Sequence, residues 1–396
     1  LRPMFRQFMR PRPLLAFSTN AIISVNSLVI TFAIARGSST FEFGLAALGL
    51  TVYYFSTGLA RSTFTETVLA GLGESGIAFR TARRLSLYGL VCAAIVTAFG
   101  VLLHNPYLTV LGPALHGLTL LENTRTIQLA IGKATHALEV ALGWMVLTVA
   151  AAALLPVAGV WLFAAWAASG ALLGYANSLR LRTPIRASWP KDDAESRTAG
   201  LFAADFVVGT GGSMLTVLLL GLTASPRVVG AVRGAGTLLG PANVISTSAR
   251  SLVIPLLTRA REGAVENEVA VAIRVSGLLL LVSAPLALLL TLIPKQIGEQ
   301  LLGATWDAAA LAIVPLAIES VLALLGSVPA SGHRSRLAGR RSLILRLSIG
   351  VPRPFLVLSS AALWGLTGAV WSMAAISGAN LLVWWISYLN LARRSG

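Results

Sequence analysis

The charged side chains that stand out as candidates at bilayer depth within long apolar runs are Asp205, Arg233, Glu319 and Arg353. A charge at bilayer depth costs on the order of 3 kcal/mol or more, so each should face a wet cavity or a partner. Asp205 lies some six residues into its run. It reads as a proton or cavity site, or as an interfacial carboxylate. Arg233 occupies the outer half of its run and Arg353 the middle of its own. Each either lines a cavity or snorkels to the surface, which is harder for Arg353. Glu319 sits mid-run, as a functional carboxylate or as one half of a buried pair. Arg61, Glu66, Glu122, Arg125, Glu139 and Arg250 lie near run ends, where they are structural anchors or parts of a gate. Glu122 and Arg125 are spaced i,i+3 on one helix face and can neutralise each other. Softer polar groups are Asn20, Asn26 and Asn243. Asn20 and Asn26 are six residues apart, about 600° of helical rotation, so they do not share one stripe.

The chemistry that is missing narrows the choice. There is no Gly-rich phosphate loop with Lys, no His-rich metal motif and no nucleophile elbow. His104, His116, His136 and His333 are scattered. Direct use of ATP is not expected; a coupling ion such as H+ or Na+, or the gradient of the transported molecule, would supply the drive. No cofactor and no metal is expected, and the chain does not read as an enzyme. Cys92 is the only cysteine, which excludes an internal disulfide and a Cys-based cluster.

The elements that must position these groups are membrane helices. Of 396 residues, 56% are hydrophobic and 12% charged, with mean hydropathy +0.78. A soluble domain carries about 25% charged residues, so this surface cannot face water all round. Apolar runs of about 20 residues match the ~30 Å hydrocarbon core, and backbone groups in lipid must be satisfied within the segment. The spacing predicts twelve spans: Leu14–Ile34, Phe41–Leu59, Leu87–Leu103, Tyr107–Leu121, His136–Leu155, Val157–Leu179, Ala199–Leu222, Val228–Leu257, Ala270–Ile293, Ala308–Val328, Ser342–Leu363 and Leu366–Leu389. No cleavable leader is expected, because the first run is too long and lacks a cleavage site.

The net charge of +16 orients the bundle. Basic residues gather at both ends and in the even-numbered connections, as at Arg80, Arg83 and Arg84, at Arg180 to Arg197, and at Arg334 to Arg346. The other side keeps Arg36, Arg227 and Lys295. Excess Arg and Lys marks the cytoplasmic side, so both termini are placed there, with no role for nucleic acid. The Arg, Ala and Gly bias points to a GC-rich bacterial genome. A shift of about 186 residues lays Phe17-Ser-Thr-Asn20 near Phe202-Ala-Ala-Asp205 and Thr51 on Thr237. That register divides the spans six plus six: residues 1–180, a linker 181–198, and residues 199–396. Each half has an even number of spans, so the halves are parallel repeats about an axis along the membrane normal. Pro241, Pro255, Pro285, Pro315, Pro352 and Pro354 mark kinks or hinges in the second half. Gly209-Thr-Gly-Gly-Ser213 reads as close helix packing.

Several segments resemble a known family. Gly44-Leu-Ala-Ala-Leu-Gly-Leu50 running to Gly58-Leu-Ala-Arg61 resembles the second span of polysaccharide flippases. Leu121-Glu-Asn-Thr-Arg125 with Ala130-Ile-Gly-Lys133 resembles their turn between spans four and five. Val229-Gly-Ala-Val-Arg233, Thr237-Leu-Leu-Gly-Pro241 and Asn243 resemble their eighth span, and Leu301-Leu-Gly-Ala-Thr-Trp306 their loop before the tenth. The chain thus resembles the O-antigen and teichoic-acid exporters of the multidrug/oligosaccharidyl-lipid/polysaccharide exporter superfamily. The resemblance implies an all-α fold of two six-helix bundles forming a V. It also implies alternating-access movement of an undecaprenyl-type lipid-linked saccharide to the outer leaflet, with membrane lipids and envelope glycosyltransferases or a polymerase as partners. The planar guanidinium binds phosphate oxygens bidentately. That makes Arg61, Arg233, Arg250 and Arg353, with Asn20, Asn26 and Asn243, the expected head-group residues. Asp205, Glu319, Glu66, Glu122 and Arg125 are the expected coupling or gating residues. Ser18 and Asn20 stand where the lipid II flippase branch carries a charged pair, which argues against that substrate. A cation-coupled multidrug antiporter should instead show acidic cavity residues. A polymerase or glycosyltransferase should show a sizeable external loop or a membrane-edge acidic motif, and neither is present. A non-transporting envelope-assembly scaffold would share the same sequence features.

Overall fold

A computed structural model describes residues 13–65, 77–130, 133–155, 159–183, 185–188, 199–200, 202–204, 206–240, 265–336 and 338–393, with Val253, Leu257 and Ala260. Helix α1 spans Pro13–Gly37. Helix α2, Thr40–Ala60, opens on a capping box in which Ser39 and Glu42 satisfy each other's backbone N–H. It runs directly into a π-helical turn, Arg61–Thr65. Helix α3 is Ile77–Leu102 and α4 is Pro106–Ala130. Asn105 starts α4, its Oδ1 accepting from the N–H groups of Tyr107 and Leu108 at 3.0 and 3.3 Å. Helices α5, Ala134–Leu154, and α6, Gly159–Arg180, follow.

A π turn at Val207–Gly211 leads into α7, Gly212–Thr223, and α8 is Pro226–Leu238. Then come α9, Val265–Thr291; the short α10, Lys295–Leu302; α11, Trp306–Ser335; α12, Gly339–Gly350; and α13, Pro352–Arg393. Helix α13 is two passes. The chain leaves helical geometry at Trp364 and Gly365, with Gly365 at φ 60°, a left-handed value open to glycine. That turn coincides with the expected boundary between Leu363 and Leu366.

Among the described residues eight helical stretches are long and apolar enough to cross a membrane, or nine if the bent pair Phe202–Gly209 and Gly212–Thr223 is one span. Helix α4 is absent from that set although it has 25 residues. Its lower half carries Thr119, Asn123, Thr124, Arg125, Thr126 and Gln128, all buried against protein rather than lipid. It packs on α2, α3, α5 and α6. The sequence expectation ended this span at Leu121, because only lipid-facing helices must be apolar throughout. Likewise Arg80, Arg83 and Arg84, expected in a connection, are the first turns of α3, which begins ten residues before the apolar run at Leu87.

The described residues form two compact units, Leu1–Met214 and Leu215–Gly396, divided within α7. Phe202 and Phe206 pack on helix α2 and the π turn that follows it. The Phe206 ring lies 5.9 Å from that of Phe55, and Ser62 Oγ donates to the Phe202 carbonyl at 2.9 Å. The Gly209–Ser213 motif is a π turn rather than a helix crossing: a Cβ at Gly211 or Gly212 would meet Phe206 and Val207 of its own segment. Close packing in this unit lies elsewhere. A Cβ at Gly117 of α4 would fall 2.6 Å from the Ala171 Cα of α6. Tyr53, Trp144, Phe163 and Trp166 fill the space between α2, α5 and α6, with Trp144 stacked on Trp166 at 5.3 Å. In the second unit Val253, Leu257, Ala272, Leu279, Leu324, Val328 and Tyr388 form the core.

Candidate functional site

In the first unit four of the expected site residues converge. Glu122 and Arg125 lie on one face of α4, and Arg125 Nη2 donates to both Glu122 oxygens at 2.9 and 2.7 Å. Arg125 Nη1 donates to Asn20 Oδ1 of α1 at 2.9 Å. Arg61 of the π turn brings its Nη1 to 3.7 Å from Glu122 Oε1. The π turn matters here because its extra residue per turn re-aims the side chains that follow α2.

A shell of neutral groups holds this face of α4 in place. Thr65 Oγ1 donates to Asn123 Oδ1 at 2.9 Å, and Thr126 Oγ1 to the Glu122 carbonyl at 2.9 Å. From α6, Asn177 accepts from Gln128 Nε2 at 2.8 Å and donates to Thr124 Oγ1 at 2.9 Å. The resulting site has one carboxylate between two guanidiniums. Arg125 is buried, at 6% side-chain exposure, and Arg61 is open, at 52%. The buried pair cancels, and the accessible charge is Arg61, a planar fork suited to phosphate or carboxylate oxygens.

Asn26 belongs to a different environment. It is 1% exposed, and among the described residues neither of its amide atoms has a hydrogen-bond partner. Asn20 is exposed, so the two asparagines do lie on different faces of α1. A second polar chain crosses the unit: Ser86 Oγ meets His116 Nε2 at 2.9 Å, and His116 Nδ1 meets the Tyr175 hydroxyl at 2.9 Å. It links α3, α4 and α6. Ser86 also donates to the Ile185 carbonyl, and Ser188 N to the Arg83 carbonyl at 3.2 Å, which fastens residues 185–188 to the start of α3.

In the second unit Glu319 of α11 pairs with Arg353 at the start of α13. Both are mostly buried, so Arg353 is not at the surface as a snorkelling cation. A second ionic cluster was not expected. Glu268 of α9, fully buried, accepts from Arg336 Nη2 at 2.6 Å and from the Tyr388 hydroxyl at 3.1 Å. Beside it His333 Nε2 meets Ser387 Oγ at 3.0 Å, and Arg341 Nε donates to the same oxygen at 2.7 Å. Sequence reasoning counted Arg336 and Arg341 as loop charges. The usable signal was Glu268, an acidic residue two positions before the apolar run at Ala270, which needs a buried cation once the helix starts early. Arg233 is half-buried in α8 and engaged within the protein. Glu66, Asp205, Asn243 and Arg250, with Pro241 and Pro255, lie outside the described residues. Among the described residues no cluster of three or more His, Cys, Asp or Glu could hold a metal.

Among the described residues, then, the bundles hold ion pairs within them and no cluster that could bind a metal. The chain has the all-α, two-bundle architecture of multidrug and toxic-compound extrusion (MATE) transporters. Its structure is similar to the inward-facing conformation of a multidrug resistance MATE family transporter of the MOP superfamily, with TM-score 0.72 and 12% identity over 94% of this chain and 95% of that one. An outward-facing structure of such a transporter gives TM-score 0.61 and 13% identity over 96% of this chain and 94% of that one. A MOP superfamily transporter from Pyrococcus furiosus, described as having a binding pocket of reverse polarity, gives 0.58 and 14% over 96% and 94%. No protein-family profile and no curated protein sequence matches the chain.

Proposed function

We propose that this protein is an alternating-access carrier that moves an anionic, lipid-linked saccharide of the undecaprenyl-phosphate class from the inner to the outer leaflet of a bacterial plasma membrane, with both termini in the cytoplasm. One observation carries the reading. The described carboxylates inside the helix bundles, Glu122, Glu268 and Glu319, are each held by an arginine. A carboxylate so held is a poor site for a cationic drug or a coupling cation. What remains accessible in the first-unit site is the Arg61 guanidinium, which suits the phosphate oxygens of a lipid-linked head group. The fold supports alternating access, since solved structures similar to this chain are described as inward-facing and outward-facing. A transporter of this fold is described as having a binding pocket of reverse polarity, so the fold accommodates pockets of different polarity. The sugar head would cross through the bundle while the polyprenyl tail stays in lipid.

The second reading is a cation-coupled multidrug antiporter, which the descriptions of the similar structures as multidrug transporters favour. The deciding experiment uses the purified protein in vesicles with two probes: a radiolabelled undecaprenyl-linked oligosaccharide, and a fluorescent organic cation under an imposed H+ or Na+ gradient. Movement of the oligosaccharide lipid, lost in Arg61→Ala, is the expected result. Gradient-driven movement of the cation with none of the lipid would establish the antiporter instead.

A further inference from the structure

Between α12 and the second pass of α13 lies a cavity of about 680 Å³, lined by Arg340, Arg341, Ile344, Leu345, Val383, Ile386, Ser387 and Asn390 among others. It belongs wholly to the second unit and is separate from the Glu319–Arg353 pair. Its walls are ordered. On α12, Arg340 and Arg341 occupy the first turn, and Ile344 and Leu345 stand four residues on, about 6 Å deeper at 1.5 Å per residue. On α13, Val383, Ile386, Ser387 and Asn390 fall at i, i+3, i+4 and i+7, one continuous helix face. The two helices run antiparallel along the cavity. One end therefore collects Arg340, Arg341, Ser387 and Asn390, while the other is lined by Ile344, Leu345 and Val383.

That gradient is the profile of a phospholipid: an anionic, hydrogen-bonding head followed by an apolar chain. Arg341 is fixed in place by its 2.7 Å bond to Ser387, which is itself bonded to His333. Arg340 is exposed, and among the described residues neither arginine is in an ion pair. Ile344 and Ile386 are both more than half exposed and offer apolar contact to a chain entering from the bilayer. The charged end lies toward Arg393, three residues past Asn390 at the close of α13, on the side where the basic residues gather, so the leaflet that reaches it is the one facing that side.

We infer that this cavity is a binding site for an anionic glycerophospholipid, with the phosphodiester on Arg340 and Arg341, hydrogen-bonded by Asn390, and one acyl chain laid along Ile344, Leu345, Val383 and Ile386. The site is independent of the carrier's substrate.

Native mass spectrometry of the full chain released from micelles containing either phosphatidylglycerol or phosphatidylcholine reads the site directly. The expected result is retention of one phosphatidylglycerol per chain and little phosphatidylcholine. An interfacial arginine contributes roughly a five-fold change in affinity. Arg340→Gln should therefore weaken phosphatidylglycerol retention by about five-fold, and Arg340→Gln with Arg341→Gln by about 25-fold. Val383→Trp, which fills the apolar end and leaves both arginines, should also reduce retention. Arg340 is exposed, so its variant keeps the fold, and the oligosaccharide-lipid assay on that variant separates this site from the transport path. Equal retention of both lipids, unchanged retention in the double arginine variant, or displacement by inorganic phosphate alone would overturn the assignment. So would displacement by undecaprenyl phosphate with phosphatidylglycerol unable to compete.

Discussion

Arg125 grips Glu122 through two hydrogen bonds of 2.9 and 2.7 Å while its other terminal nitrogen donates to Asn20, 105 residues earlier. One guanidinium thereby ties α4 to α1 and neutralises a carboxylate whose other cation, the exposed Arg61, stands farther off at 3.7 Å. Removing one partner of a buried pair strands the other, at about 3 kcal/mol or more. Arg125→Gln should lower the thermal unfolding midpoint sharply. Arg125→Gln with Glu122→Gln should recover most of the loss, because no unpaired charge remains. If the double variant is as unstable as the single one, the pair is not what holds this face of α4.

Arg61 contacts the same carboxylate on different terms. Its side chain is half exposed, and its 3.7 Å approach to Glu122 is a loose one. An exposed pair of this kind contributes about 0–1 kcal/mol. Arg61→Ala should leave the unfolding midpoint nearly unchanged while abolishing movement of the lipid-linked oligosaccharide in vesicles. Full transport by Arg61→Ala would remove the first-unit cation from the mechanism.

How far the sequence foretold this site depends on what each residue faces. Hydropathy located the lipid-facing helices well, because lipid contact demands unbroken apolar surface. It even placed the turn at Leu363–Leu366, which the chain executes at Gly365. It cut α4 short at Leu121 and began α3 late at Leu87, since helix surfaces covered by protein can be polar and Arg84 and Arg125 are both buried. The i,i+3 spacing of Glu122 and Arg125 revealed their pairing, a local relationship. The pairing of Glu319 with Arg353 and of Glu268 with Arg336 joins residues 34 and 68 positions apart. No periodicity encodes such partners, so Arg336 passed as a loop charge. The polar chain from Ser86 through His116 to Tyr175 escaped notice for the same reason: each member is an ordinary residue in an apolar helix until tertiary packing aligns them.

The Glu268 cluster makes a prediction about the order of two substitutions. Tyr388 gives Glu268 one hydrogen bond, whereas Arg336 supplies its countercharge. Tyr388→Phe should cost about 1 kcal/mol, and Arg336→Leu about 3–5 kcal/mol, since a fully buried carboxylate loses the guanidinium bonded to it at 2.6 Å. Denaturant unfolding in detergent measures both. Comparable losses would mean that Glu268 finds another cation when Arg336 is gone.

The crossing of α4 and α6 predicts intolerance to a single methyl group. A Cβ at Gly117 would fall 2.6 Å from the Ala171 Cα and 2.7 Å from its Cβ, and the first of these neighbours is backbone that cannot rotate away. In a membrane bundle, where lipid is as apolar as leucine, close packing of small residues supplies much of the association between helices. Forcing α4 and α6 apart also displaces Asn177 from Gln128 and Thr124, and with it the support behind Glu122 and Arg125. Gly117→Ala should therefore destabilise the protein by about 1–3 kcal/mol and reduce transport beyond what its loss of folded protein explains. Gly143→Ala serves as the control. It lies on α5, and a Cβ there meets nothing within 4 Å, so this variant should match the wild type in both unfolding midpoint and transport. Equal behaviour of the two alanine variants would show that the α4–α6 contact carries neither the stability nor the site.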